Sequence, residues 1–147
     1  MATLKFKIDN EALIEEFFHE TKIIGIIAPV SDYKFCWYLN RMLGFNFRIN
    51  TSLEIQLIKK DRKYFFSIYE SFTNGNTLIH YLYNNQHEGE YLLPEFKHLD
   101  FLWLIKGDVI QHQELTGLLH SIKTIPSVQL AVEMTDERIK NKQHLIF

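Results

Sequence analysis

Apolar and polar residues follow two periods along this chain, and the switches between them mark its elements. Leu4, Phe6 and Ile8 alternate with polar residues, which predicts a short strand ending at Asp9-Asn10. Asn10 can cap a short helix from Glu11 to His19, with Glu11, Glu15 and Glu16 near its positive end. Ile23 to Val30 is β-branched and apolar, the pattern of a buried strand, and Pro29 bounds it. Ser31 or Asp32 then caps a helix over Tyr33 to Leu43 that Gly44 closes. Phe35, Leu39 and Met42 share one face of it, flanked by Cys36 and Leu43. Tyr33, Trp37 and Arg41 recur at every fourth residue as a second stripe, with Arg41 placed to stack on Trp37.

The middle of the chain reads as consecutive strands. Leu53, Ile55 and Leu57 alternate with Glu54 and Gln56, so this strand has one wet face. Lys59-Lys60-Asp61-Arg62-Lys63 is a charged hairpin tip, with anion binding as its other reading. Tyr64 to Tyr69 and Leu78 to Tyr83 follow as strands, joined through the turn dipeptide Asn74-Gly75. A polar loop, Asn84 to Gly89, leads to Pro94, which lacks an N–H, favours an extended Leu93 and interrupts any ladder. Phe101 to Ile105 is apolar at every position, which predicts a strand buried on both faces and too short for a membrane span.

Asp108 is placed to cap another helix, with Gln111 at the capping-box position and Leu115, Leu118, Leu119 and Ile122 as its buried stripe. Beyond Pro126, Val128 to Val132 reads as a last strand, and Thr135-Asp136-Glu137 as the start of a short helix. The apolar Leu145-Ile146-Phe147 is expected to pack onto the body. The expectation is a single α+β domain over residues 1–147. It has a largely antiparallel sheet of about five to six strands and two main helices packed on one face. No repeat, low-complexity linker or composition break divides it.

Composition narrows the function more than the fold. The formal charge is −2 and the basic residues are scattered, whereas nucleic-acid binding needs a concentrated basic surface, so none is expected. Cys36 is the one cysteine, which removes a disulfide framework and fits a reducing compartment. Met1 to Asn10 has no signal-peptide apolar core and Ile23 to Val30 is too short to cross a bilayer. A soluble cytoplasmic protein is therefore expected, without a membrane partner.

Recognisable chemistry is sparse. There is no G-x-G-x-x-G, P-loop, G-x-S-x-G or H-E-x-x-H, and no cofactor is expected. Glu95 and His98 have E-x-x-H spacing, which serves metal sites on helices, but Pro94 argues against a helix there and one copy is insufficient. Around that bend Pro94, Glu95, His98 and Asp100 form the candidate cluster: a site of two carboxylates and an imidazole, or a turn whose carboxylates bond nearby backbone N–H groups. Cys36, at helical spacing with core residues, reads as a buried thiol rather than a nucleophile.

Two stretches carry a family resemblance. Leu93-Pro94-Glu95, three residues, then Leu99-Asp100-Phe101 resembles the pattern I-P-E-x-x-x-V-D-Y, which names a family of small uncharacterised bacterial proteins of about this length. Pro94, Glu95 and Asp100 match it, while Leu93, Leu99 and Phe101 depart from it, the last by losing a hydroxyl. Asp32-Tyr33, Cys36-Trp37 and Leu39-Asn40 resemble a second stretch of the same family. The resemblance implies no activity.

The aromatic content poses a surface problem. Twelve Phe, seven Tyr and two Trp are present, and the central strands are apolar on both faces. Two helices cover one face, so the other is expected to be bare and to form a homodimer, with Trp37, Tyr69, Tyr81 and Tyr83 as interface candidates. The terminal segments Leu4 to Phe18 and Thr135 to Phe147 are the alternative covers. The expected function is accordingly a non-catalytic protein-interaction or homo-oligomerising domain. The alternative is a small-ligand-binding protein or enzyme using Glu95, His98 and Asp100.

Overall fold

A computed structural model describes residues 2–147. Strand β1, Lys22–Ile27, lies inside its sheet with Ile23, Ile24 and Ile26 buried. It pairs antiparallel with β7, Phe101–Lys106, on one side and with β8, Leu130–Glu133, on the other. β2 (Arg48–Lys59), β3 (Arg62–Phe72) and β4 (Ile79–Asn84) form a meander that joins β7 through β4. The six-stranded sheet runs β2-β3-β4-β7-β1-β8, antiparallel at every pairing. The expected α+β architecture is the one observed.

Two helices cover one face. α2, Asp32–Leu43, follows Ser31 and ends at Gly44, whose φ of 77° is the left-handed conformation that a side chain would disfavour. It buries Phe35, Cys36 and Leu39. α3, His112–Lys123, buries Leu115 and Ile122. Between these helices and the sheet lies Trp103, ringed edge-on by Phe45 and Phe47 at 5.2 and 5.1 Å.

Irregular chain covers the other face. Leu92, Leu93 and Leu99 flank the 3-10 turn Pro94–Phe96, and Ile139 and Leu145 come from the last segment. They pack on Ile68, Tyr83, Leu102 and Leu104. Gly25 faces this layer because a Cβ there would lie 2.7 Å from Leu99 Cδ1 and 2.9 Å from Met134 Sδ. Phe17 and Phe18 complete the layer from α1, Ala2–Phe18. The Lys106 ammonium fastens the end of α1 by donating to the Phe17 carbonyl and to the Thr21 hydroxyl, and it lies 3.7 Å from the Phe17 ring centroid.

Several local expectations are corrected. Leu4 to Ile8 belongs to α1 and is not a strand. Three alternating positions are a weak signal where no Gly or Pro interrupts the chain and Glu11, Ala12, Leu13, Glu15 and Glu16 favour a helix just beyond them. Asp108 does not cap α3, which starts at His112 with Gln111 in the cap position. Asp108 instead accepts from Val109 N at 2.7 Å and from the Thr77 hydroxyl at 3.0 Å, a turn that uses the same carboxylate chemistry as a cap. The polar loop Asn84 to Gly89 forms the first strand and turn of a small hairpin, β5 (Gln86–His87) pairing with β6 (Glu90–Tyr91) just beyond it. The helix expected from Thr135 is a pair of 3-10 turns, Asp136–Arg138 and Lys142–Leu145.

Candidate functional site

Pro94 opens the 3-10 turn as the sequence implies, and the residues after it separate. Glu95 points to the last segment, where its Oε2 accepts from Lys140 N and Asn141 N at 2.6 and 2.7 Å. Its Oε1 accepts from Asn141 Nδ2 at 2.8 Å. Partial burial pushes the Glu95 carboxyl up, but these hydrogen bonds outweigh it and hold the group below its usual range. Asp100 points the other way, towards the end of β1, and its Oδ2 accepts from Ala28 N at 2.8 Å. Its own N–H donates to the Ile26 carbonyl at 2.8 Å. His98 is exposed and lines an open groove of about 500 Å³ with Leu99, Val132, Met134 and Arg138. Neither Glu95 nor Asp100 lines that groove. The three side chains thus do not converge.

One residue organises this stretch, and its sequence context gives no sign of it. Asn85, wholly buried just after β4, donates through Nδ2 to the carbonyls of Phe96 and Leu99 at 2.8 and 3.0 Å. Its Oδ1 accepts from Leu93 N at 2.9 Å. Its backbone N–H donates to the Asp100 carbonyl and its own carbonyl accepts from Leu92 N, at 2.9 and 2.8 Å. A proline-bent segment has backbone groups with no ladder to join, and buried groups of that kind need partners. Asn85 supplies them at both ends of the bend.

The second motif behaves similarly. Asp32 Oδ2 accepts from the Tyr69 hydroxyl at 2.8 Å and from Asn84 Nδ2 at 2.9 Å, which ties the start of α2 to β3 and β4. Burial raises its pKa, but the hydrogen bonds from Tyr69, Asn84 and Tyr33 N prevail and keep the carboxyl below its ordinary value. Tyr69 is pushed up by burial and by Asp32. Asn40 brackets Phe47, donating to its carbonyl at 3.0 Å and accepting from its N–H at 2.7 Å. Cys36 is buried, which pushes its thiol up to about 12 and leaves it unreactive at neutral pH.

The interface candidates divide. Tyr81 and Tyr83 are buried within the chain; the Tyr83 hydroxyl donates to the Leu145 carbonyl at 2.9 Å, and the Tyr81 ring lies 4.8 Å from that of Phe147. The face expected to be bare is the one the irregular layer covers, so neither tyrosine is available to a partner. Tyr69 is half-buried against α2. Trp37 alone of the four stands in solvent, 55% exposed, with Arg41 stacked at 5.6 Å.

A part-buried polar pair unrelated to either motif lies against Phe45, just past the end of α2. Trp103 Nε1 donates to His80 Nδ1 at 3.0 Å. An indole N–H only donates, so Nδ1 is unprotonated and the His80 proton sits on Nε2. Burial lowers the His80 pKa to about 4, which keeps the ring neutral at physiological pH. No group of three His, Cys, Asp or Glu among the described residues is arranged to hold a metal ion. Among the described residues no helix is long and apolar enough to cross a membrane. No protein-family model matches the chain, and no curated protein does.

Proposed function

We propose that this chain is a cytoplasmic member of the IPExxxVDY family and acts as a non-catalytic domain that self-associates. Support comes from the apolar side chains left bare on α2's side of the sheet. Tyr33 and Trp37 on α2 are 73% and 55% exposed, and Ile58 and Phe65 on the β2–β3 ribbon are 61% and 47% exposed. Phe65 and Tyr69 fall on the same side of β3, with Ser67 between them, and Tyr69 meets Asp32 at the start of α2, so the bare side chains of ribbon and helix belong to one side of the sheet. Such a surface normally marks an interface. The motif carboxylates favour a non-catalytic reading because each is engaged by backbone or amide donors. Light scattering at micromolar concentration tests self-association. A dimer mass that falls in the Trp37→Ser, Phe65→Ser double variant supports it, and a monomer mass for the native chain overturns it.

A further inference from the structure

β2 and β8 are the edges of the sheet, and they differ. β8 is four residues long, and Ala131 within it is wholly buried. β2 is twelve residues long, and among the described residues no strand lies on its outer side. Its register on β3 breaks between Ile49 and Glu54, and from Glu54 to Lys59 the pairing is regular. The two-residue turn Lys60-Asp61, with φ of 52° and 63°, makes Lys59 and Arg62 the closing hydrogen-bonded pair. Ladder bonds then fall at Lys59, Leu57 and Ile55, and the backbone groups of Glu54, Gln56 and Ile58 point outward.

We propose that β2 pairs with β2 of a second copy across a two-fold axis, joining the two sheets into one. This rests on the self-association reading and names its surface. A closed two-fold makes edge strands run antiparallel to themselves, and the register follows from the outward groups. Centred on Gln56, the pairing sets Glu54 opposite Ile58 and Gln56 opposite Gln56, so all three residues on each copy are used. A shift by one residue brings either the irregular stretch before Glu54 or the turn residue Lys60 into the ladder. The charges agree, because Glu54 and Lys60 lie at opposite ends of this run and the two-fold sets each Glu54 diagonally beside the other copy's Lys60. Phe65 sits beside Gln56 on β3, so the two exposed phenylalanines flank the axis.

The Gln56 N–H points away from β3, so Gln56→Pro removes a donor to the partner while keeping the internal ladder. The expected mass is that of a monomer with the circular dichroism of the native chain. Gln56→Cys is the companion variant. Directly opposite residues in a hydrogen-bonded antiparallel pair have Cα atoms about 5.5 Å apart, within disulfide reach. Cys36 is buried and does not compete. A disulfide-linked dimer on non-reducing gels, at micromolar protein, is expected. A native dimer that survives Gln56→Pro and does not cross-link through Gln56→Cys places the interface elsewhere and overturns this pairing alone. A native monomer overturns both readings.

Discussion

The two faces of the sheet are buried to similar depth by opposite means. Under α2 and α3 the cover is two twelve-residue helices, each presenting one apolar stripe. On the other face it is a bent loop, two short 3-10 turns and the last aromatic turn of α1. A helix satisfies its backbone internally, so its contribution to a core is almost all side chain. An irregular cover has to find a partner for each buried N–H and C=O. Here those partners are Asn85, Glu95, Asp100 and the Tyr83 hydroxyl. The motif that looked like a site is what an irregular cover requires of its polar residues.

That difference can be broken most severely on the helical side. Phe35 is wholly buried and stacks 4.6 Å from Phe101, so Phe35→Ala should cost about 3–5 kcal/mol in a denaturant melt. Leu145 is buried as deeply, but one short turn holds it and can settle into the space left behind. Leu145→Ala should therefore cost about 2–3 kcal/mol, the lower part of the range for such truncations. Equal losses would mean that the irregular face is as rigid as the helical one.

Next come the clasps. Asp100→Ala strands the Ala28 N–H and should lower stability by about 1–2 kcal/mol. A variant as stable as the parent would return Asp100 to the list of functional candidates. Glu95→Gln should act locally instead, speeding hydrogen exchange at Lys140 and Asn141 while α2 amides keep their protection. Glu95 and Asp32 both have depressed folded-state values, so their contributions are complete above the ordinary carboxylate range and are lost as pH falls through the folded values. The parent should lose stability on acidification faster than Glu95→Gln, and parallel pH profiles would contradict the Glu95 assignment. The smallest effect is expected at Trp37, where Ala should change monomer stability by no more than about 0.5 kcal/mol. A loss as large as that of Phe35→Ala would show that Trp37 belongs to the core.

The helical face was the more legible in sequence because its signals are local. The limits of α2, its Gly44 stop, the Phe35–Leu39 stripe and the all-apolar β7 each follow from spacing within a few residues. The irregular face was not, because what covers it is decided by residues far apart in the chain. Alternation in β4 shows that Tyr81 and Tyr83 share an apolar face, but not that Leu145 and Phe147 seal it. Asn85 is one asparagine in a polar loop until its five partners are seen, and nothing in its neighbours distinguishes it from Asn84. Within the candidate cluster the turn at Pro94 and the backbone bonding of Asp100 were readable. The distant partner of Glu95 was not.

Strand β1 has a consequence for how the molecule assembles. It lies early in the chain, yet both its neighbours come late, β7 from residues 101–106 and β8 from residues 130–133. Pairings so distant make folding slow relative to a local helical bundle of the same size. Until they form, Lys-Ile-Ile-Gly-Ile-Ile is a β-prone segment with one charge and two unpaired edges, the composition that nucleates cross-β association. Lys22 at its head and Pro29 just past its end are the flanking residues that temper it. The strand that anchors the finished sheet is thus the segment most exposed to misassembly while the sheet is still being made.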